Sequence, residues 1–170
     1  CALPILMFLV KDQNFNLFLT IIIVPIIFFL FFNFSIFKLP KLFLGDNGSL
    51  LLGFIISFVL IYLASQKFVH PILLAWSVVV FVYEFLSVNL IRLKNDQNPF
   101  KAGQDHLHHL LFKKTNSAFI TNFFIFFINI SFFTVGYFSF LKINALCSLI
   151  LFILFFIIFF ILRYKFSKKI

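Results

Sequence analysis

The sequence predicts an all-α protein, a polytopic bundle of transmembrane helices with about five full spans and one partial span at its N-terminus. Three observations predict it. Hydrophobic residues make up 63% of the chain and charged residues only 11%, against about 25% charged residues in soluble domains. Mean hydropathy is +1.13. The apolar residues fall into runs close to the roughly 20 residues a helix needs to cross a bilayer, separated by short polar pieces rich in Lys and Arg.

Taken in order, the runs begin with Ala2 to Val10, which is too short to cross and reads as the end of a longer helix. Full spans follow at about 17–37, 50–66, 71–91, 118–141 and 144–163. Lys11–Asn16, Lys38–Ser49, Gln66–His70, Arg92–Ser117, Lys142–Asn144 and the tail from Arg163 connect or follow them. No basic segment precedes the first run, so it does not read as a signal peptide. Cys1 and Cys147 are distant in sequence and lie in or beside apolar segments, which suggests neither a disulfide framework nor a zinc site. The 32 phenylalanines read as filler of lipid-facing positions. No repeat or linker divides the chain, and residues 1–170 read as a single membrane domain.

Alternating the polar pieces across the membrane puts Lys38, Lys41, Arg92, Lys94, Lys101, Lys113, Lys114, Arg163, Lys165, Lys168 and Lys169 on one side. Lys11, Lys67 and Lys142 fall on the other. By the positive-inside rule the richer side is cytoplasmic. The formal net charge of +9 is accounted for by this topology and by attraction to anionic lipid. Nucleic-acid binding finds no support, because the charge is spread over three loops and forms no stripe with stacking aromatics.

Two cytoplasmic loops carry the groups suited to chemistry. The first holds Gly45-Asp46-Asn47-Gly48-Ser49 at the start of a span. Its glycines permit left-handed backbone and close approach of a ligand, and Asn47 or Ser49 is placed to cap the helix. The helix then offers unpaired amides and a positive dipole end, which suit a diphosphate. Asp46 is a hard carboxylate of the kind that holds magnesium beside phosphates.

The second loop, Arg92 to Ser117, is long for a helix connection, and three of the four histidines lie in it, His106, His108 and His109, directly after Asp105. Pro99 and Gly103 break the chain before them, and Asp105 is placed to cap a short helix. On that helix Asp105, His106 and His109 share a side and His108 points elsewhere. Imidazole contacts phosphate or metal near neutral pH. The spacing is unlike His-x-x-x-His and no cysteine is near, so phosphate contact by the histidines and Arg92 is favoured over zinc. Glu84 lies inside a span, where an acid is costly and marks a functional or packing role. Glu84, Val88 and Arg92 share one helix face, with Arg92 about 12 Å further along. His70 reads as an interfacial residue.

Together, Phe43-Leu44-Gly45-Asp46-Asn47-Gly48-Ser49, Glu84 to Arg92, Asn98-Pro99-Phe100 and His106-Leu107-His108-His109 resemble the polyprenyl-phosphate N-acetylhexosamine-1-phosphate transferases, firmly over about residues 38–112. The His-x-His-His form looks more like the branch that starts O-antigen, enterobacterial common antigen or teichoic acid synthesis than like the peptidoglycan-precursor branch. The resemblance implies transfer of a sugar-1-phosphate from a UDP-sugar to undecaprenyl phosphate, release of UMP, and Mg2+ as cofactor with Mn2+ as an alternative. It implies Asp46 as a metal ligand. Gly45, Asn47, Gly48, Ser49, Arg92, His106, His108 and His109 would bind substrate, with Glu84 and Asp105 supporting. The partners implied are the UDP-sugar, polyprenyl phosphate and the bilayer, with a homodimer allowed, and the location is the plasma (inner) membrane.

The chain also departs from the family. An upstream Asp-Asp motif and an Asn-x-x-Asn-x-x-Asp-Gly loop are absent between Cys1 and Lys38, so the chain is expected to be a C-terminal half, inactive alone, with the catalytic carboxylates upstream. Glu84 stands where the family usually has Asp. Gly103-Gln104-Asp105-His106 lacks the arginine of the family's Asp-Arg-x-His. The alternative from another class is a transporter or lipid-flipping subunit using Glu84 as an ion site, but the sequence shows neither the discontinuous helices nor the paired halves expected of one.

Overall fold

The computed structural model describes residues 2–34, 40–99, 103 and 106–167. All of the regular structure among them is α-helical: α1 (Ala2–Leu9), α2 (Gln13–Asn33), α3 (Gly45–Ser65), α4 (Pro71–Ser77), α5 (Val79–Lys94), α6 (Leu107–Thr115), α7 (Ala118–Lys142) and α8 (Ala145–Ser167). Four helices are long and apolar enough to cross a membrane, α2, α3, α7 and α8, and a fifth candidate span is α4 and α5 taken together. The expected all-helical, multi-span fold is therefore observed, with α1 as the short N-terminal piece.

Burial is inverted relative to a soluble protein. Phe54 and Phe127 are 68% and 61% exposed, whereas Ser77, Ser87, Ser148, Asn129 and Arg163 are buried. Water would drive the first group inward, but in hydrocarbon the polar groups are the ones that must find partners inside.

Residues 1–77 and 78–170 form two compact units. In the first, α1 packs on α2 and α4, and α3 packs on α4, around Leu6, Leu19, Val59, Leu63 and Trp76. Helix α2 begins four residues before the expected 17. Asp12 Oδ1 accepts the Phe15 N–H at 2.7 Å as a side-chain cap, so part of the polar Lys11–Asn16 piece is helix. Asn16 donates to the Val10 carbonyl at 2.9 Å and ties the α1–α2 connection down.

In the second unit α5, α7 and α8 pack on one another and α6 lies against α7. Tyr83 of α5 is fully buried, surrounded by Phe132, Phe152, Phe156 and Phe159 with ring centroids 5.0–5.9 Å away. Its hydroxyl donates to the Phe152 carbonyl at 2.5 Å. Some phenylalanines are thus core packing and not only lipid-facing filler. Ser148 donates to the Gly136 carbonyl at 3.1 Å, a close approach of α7 and α8 that a small residue permits.

The expected continuous span at 71–91 is interrupted at Val78 (φ −116°, ψ 19°). A break inside a span frees backbone donors that lipid cannot satisfy. Asn129 of α7, 1% exposed, accepts the Val80 N–H at 3.3 Å. Reading the hydropathy alone misses the break because both halves are apolar.

Candidate functional site

The first cluster lies in the first unit. Helix α3 begins at Gly45, whose φ of +67° is left-handed, a backbone state that glycine adopts without steric cost. The expectation that Asn47 or Ser49 caps the helix is corrected. Both lie inside the helix, Leu44 is the N-cap with no side-chain hydrogen bond, and the Ser49 hydroxyl donates one turn back to the Gly45 carbonyl at 2.9 Å. The helix starts earlier than expected because the positive φ at Gly45 turns the chain directly into it. The first amides therefore have no side-chain cap, and Asp46 sits exposed in that first turn, where the dipole favours negative charge. Around Gly45 a Cβ would meet nothing within 4 Å, whereas at Gly48 it would press on the Leu44 side chain at 2.7 Å. Open space thus adjoins Gly45, and Gly48 serves local packing.

The second cluster is built on α5, α6 and α8 of the second unit. Glu84 is its centre. Its Oε1 accepts the backbone N–H of Leu107, the first residue of α6, at 2.5 Å. Arg163 of α8 reaches the same carboxylate with Nε at 3.2 Å from Oε2 and Nη2 at 3.3 Å from Oε1. His106 Nδ1 lies 3.9 Å from Oε1. Glu84 and Arg92 are eight residues apart on α5, about 12 Å along its axis. His106 and Leu107 therefore lie at the level of Glu84 and not at that of Arg92.

The three imidazoles form one cluster. The rings of His106 and His108 are nearly parallel with centroids 5.8 Å apart, and those of His108 and His109 are 4.1 Å apart and tilted by 39°. The expectation that His108 points away from the other two is corrected. His106 precedes the helix in extended backbone (φ −68°, ψ 150°), so helical spacing does not govern its direction and His108 comes to lie between its neighbours. Although His108 is exposed overall, desolvation lowers its pKa from the usual 6.5, the charges of His109 and His106 lower it further, and Glu84 opposes them. A neutral imidazole beside two others retains both a donor and an acceptor nitrogen.

Beside the cluster is a hollow of about 300 Å³ lined by Val80, Phe81, Glu84, Phe85, His106 and His108 among others. Phe81 and Phe85 are otherwise outward-facing. The arrangement places an apolar wall next to nitrogen donors, which suits an amphiphilic ligand with a polar head.

Arg92 is buried and donates to the Pro99 carbonyl at 2.8 Å, so it also shapes the start of the loop. Asp105 lies outside the described residues. Among the described residues no three His, Cys, Asp or Glu side chains gather as a metal site. The sequence does not mark Arg163 and Asn129 as partners of this site and of the α5 start. Asn129 carried a signal, a polar side chain in the middle of a span, whereas Arg163 looked like any other cation at a span end.

Glycosyl transferase family 4 matches residues 1–64, a stretch that contains Gly45–Ser49 and ends before Glu84, so the resemblance extends further toward the N-terminus than 38–112. The histidine loop lies beyond this family match. The chain is similar to undecaprenyl-phosphate alpha-N-acetylglucosaminyl 1-phosphate transferases. That of Escherichia coli K12 is 28% identical over 75 residues, 43% of this chain and 20% of the relative. That of Yersinia pestis is 32% identical over 76 residues, with the same coverage. The chain spans about a fifth of the length of these relatives. No solved structure matches it. The resemblance expected from the residue motifs is thus borne out over part of the chain, and the family it points to is glycosyl transferase family 4.

Proposed function

We propose that this chain forms part of an enzyme that transfers N-acetylglucosamine-1-phosphate from a UDP-sugar to undecaprenyl phosphate, releasing UMP, and so starts a cell-envelope polysaccharide. The observation that carries the reading is the imidazole cluster held at Glu84 beside the apolar wall of Phe81 and Phe85. In the reaction a phosphate oxygen of the lipid attacks the sugar-bearing phosphorus of the donor. The bond from that phosphorus to the bridging oxygen breaks, and UMP leaves with that oxygen. Such a transfer depends on positioning and charge neutralisation more than on covalent chemistry from the protein. His106, His108 and His109 supply donors to phosphate oxygens, and Arg92 adds charge at the mouth of the loop.

Asp46 fits a magnesium ligand. Its exposed carboxylate, with open space at Gly45, matches an ion that keeps several waters and takes one or two carboxylates plus substrate phosphates; Mn2+ would fit the same oxygens. When bound, the ion neutralises phosphate charge. Asn47 and Ser49 line the same helical turn, and further carboxylates are those the resemblance expects upstream. By the positive-inside count both loops face the cytoplasm across the plasma membrane, the side on which a nucleotide sugar is available.

The transporter reading gains one feature, the break at Val78, and loses its central one. Glu84 is committed to Arg163 and to the Leu107 amide and does not stand open as an ion site. The test is to offer the full-length membrane protein a panel of UDP-sugars with undecaprenyl phosphate and to follow the nucleotide released. UMP released fastest from UDP-N-acetylglucosamine, and only with the lipid phosphate present, is the expected result. Release of UDP, or turnover indifferent to the lipid, refutes the reading.

A further inference from the structure

We propose that Arg163 and Glu84 are a positioning pair, through which the last helix of the chain sets the pose of the histidine helix α6. Helix α6 has nine residues, too few to be stable alone. Its N-cap, His106, makes no side-chain capping bond. The cap comes instead from another helix: Glu84 of α5 accepts the Leu107 N–H and lies at the positive end of the α6 dipole, as a local capping carboxylate would.

A carboxylate on a flexible glutamate needs its own orientation fixed before it can orient anything else. Arg163 supplies this with two nitrogens on the two oxygens, the fork geometry that fixes a carboxylate plane. The pair is shielded, with the Arg163 and Glu84 side chains 2% and 13% exposed. One carboxylate therefore ties α5, α6 and α8 together. The imidazoles follow from it, because His106 lies against the same Oε1 and His108 and His109 lie behind it in the cluster. The contact that registers the loop is therefore far away in sequence, and among the described residues α6 has no side-chain cap of its own.

This holds for the protein whatever its substrate. Its consequence for the reaction rests on the proposed function: Arg163 touches no reacting atom, and acts on the donor phosphates through Glu84 and the α6 histidines. A lysine at 163 offers a single point of contact and does not reproduce the fork.

The test uses the full-length protein in lipid nanodiscs. It compares native protein, Arg163→Lys, Arg163→Met and the double variant Glu84→Leu with Arg163→Met, which removes the acceptor as well as both charges. The double variant removes both charges, so it leaves no unpaired ion to unfold the protein. Backbone amide exchange is read at Leu107, with Phe133 in the α7 core as reference. Exchange at Leu107 is expected to rise by about 10- to 100-fold in the double variant, the factor for losing a charge-assisted hydrogen bond, and by less in Arg163→Lys, with Phe133 unchanged. Native exchange at Leu107 in the double variant overturns the positioning pair. UDP-N-acetylglucosamine kinetics form a separate arm, in which KM should rise more than kcat falls. Faster Leu107 exchange with unchanged kinetics upholds the pair and refutes the placement of donor phosphates at the histidines.

Discussion

Asn129 is the most informative residue to perturb for the architecture of the second unit. Its side chain accepts the Val80 N–H, an orphan donor of the first turn of α5, inside a candidate span. Asn129→Leu keeps the volume and deletes the acceptor. A buried amide left unpaired costs about 1–3 kcal/mol, while hydrogen bonds measured within membranes average about 0.6 and reach about 1.7 kcal/mol. Because Val80 has no water to turn to, a loss of about 1–2 kcal/mol is expected, close to a tenfold fall in the folded-to-unfolded ratio. Ser131→Ala is the control on the same helix, since that hydroxyl donates to the Phe127 carbonyl one turn back and its removal should stay within about 0.5 kcal/mol. Equilibrium unfolding in mixed detergent micelles, followed by circular dichroism, reads both. If the leucine variant matches the control, Asn129 does not support the break at Val78. Loss of the first turn of α5 would also disturb Glu84, one turn further along the same face.

Three further outcomes follow from the site. His108 should hold its neutral form below the pH at which an ordinary histidine protonates, because desolvation and then His109 and His106 lower its pKa, against Glu84. Between the lowered folded value and the unfolded 6.5 the unfolded chain binds more protons, so stability rises with pH through that window and is lost as pH falls through it; nitrogen NMR of labelled histidine that shows His108 titrating at or above 6.5 contradicts this. Asp46→Asn should abolish magnesium-dependent UMP release by the full-length enzyme. It should cost no more than about 1 kcal/mol of stability, the worth of a first-turn charge on the helix dipole, and normal turnover would remove Asp46 from the metal site. Gly45→Ala should destabilise by about 1–2 kcal/mol through its left-handed backbone, although a Cβ there meets no atom; an unchanged melting temperature would show that α3 starts without needing that conformation.

The helical class, the number of spans and the two polar loops were legible in the sequence, because in a bilayer hydrophobic length and charge placement are local properties of the chain. Gly45 at a left-handed turn was legible for the same reason, since only its own backbone is involved. Helix ends were not legible where a side chain decided them. Asp12 drew α2 back by four residues, and Asn129 takes the Val80 N–H where α5 begins. The histidines stand out in the sequence by their company, but helical spacing does not give their geometry, because His106 is extended. Glu84 was recognised as costly in its span, yet its partner was a cation 79 residues away that sequence had used only to count charge. Composition and periodicity by themselves determined which segments are long and apolar enough to span a membrane and where the polar loops between them fall. Tertiary structure alone decided that the start of α6 lies at Glu84 and that three imidazoles cluster there, because a largely buried carboxylate is satisfied by whatever donors packing brings within reach.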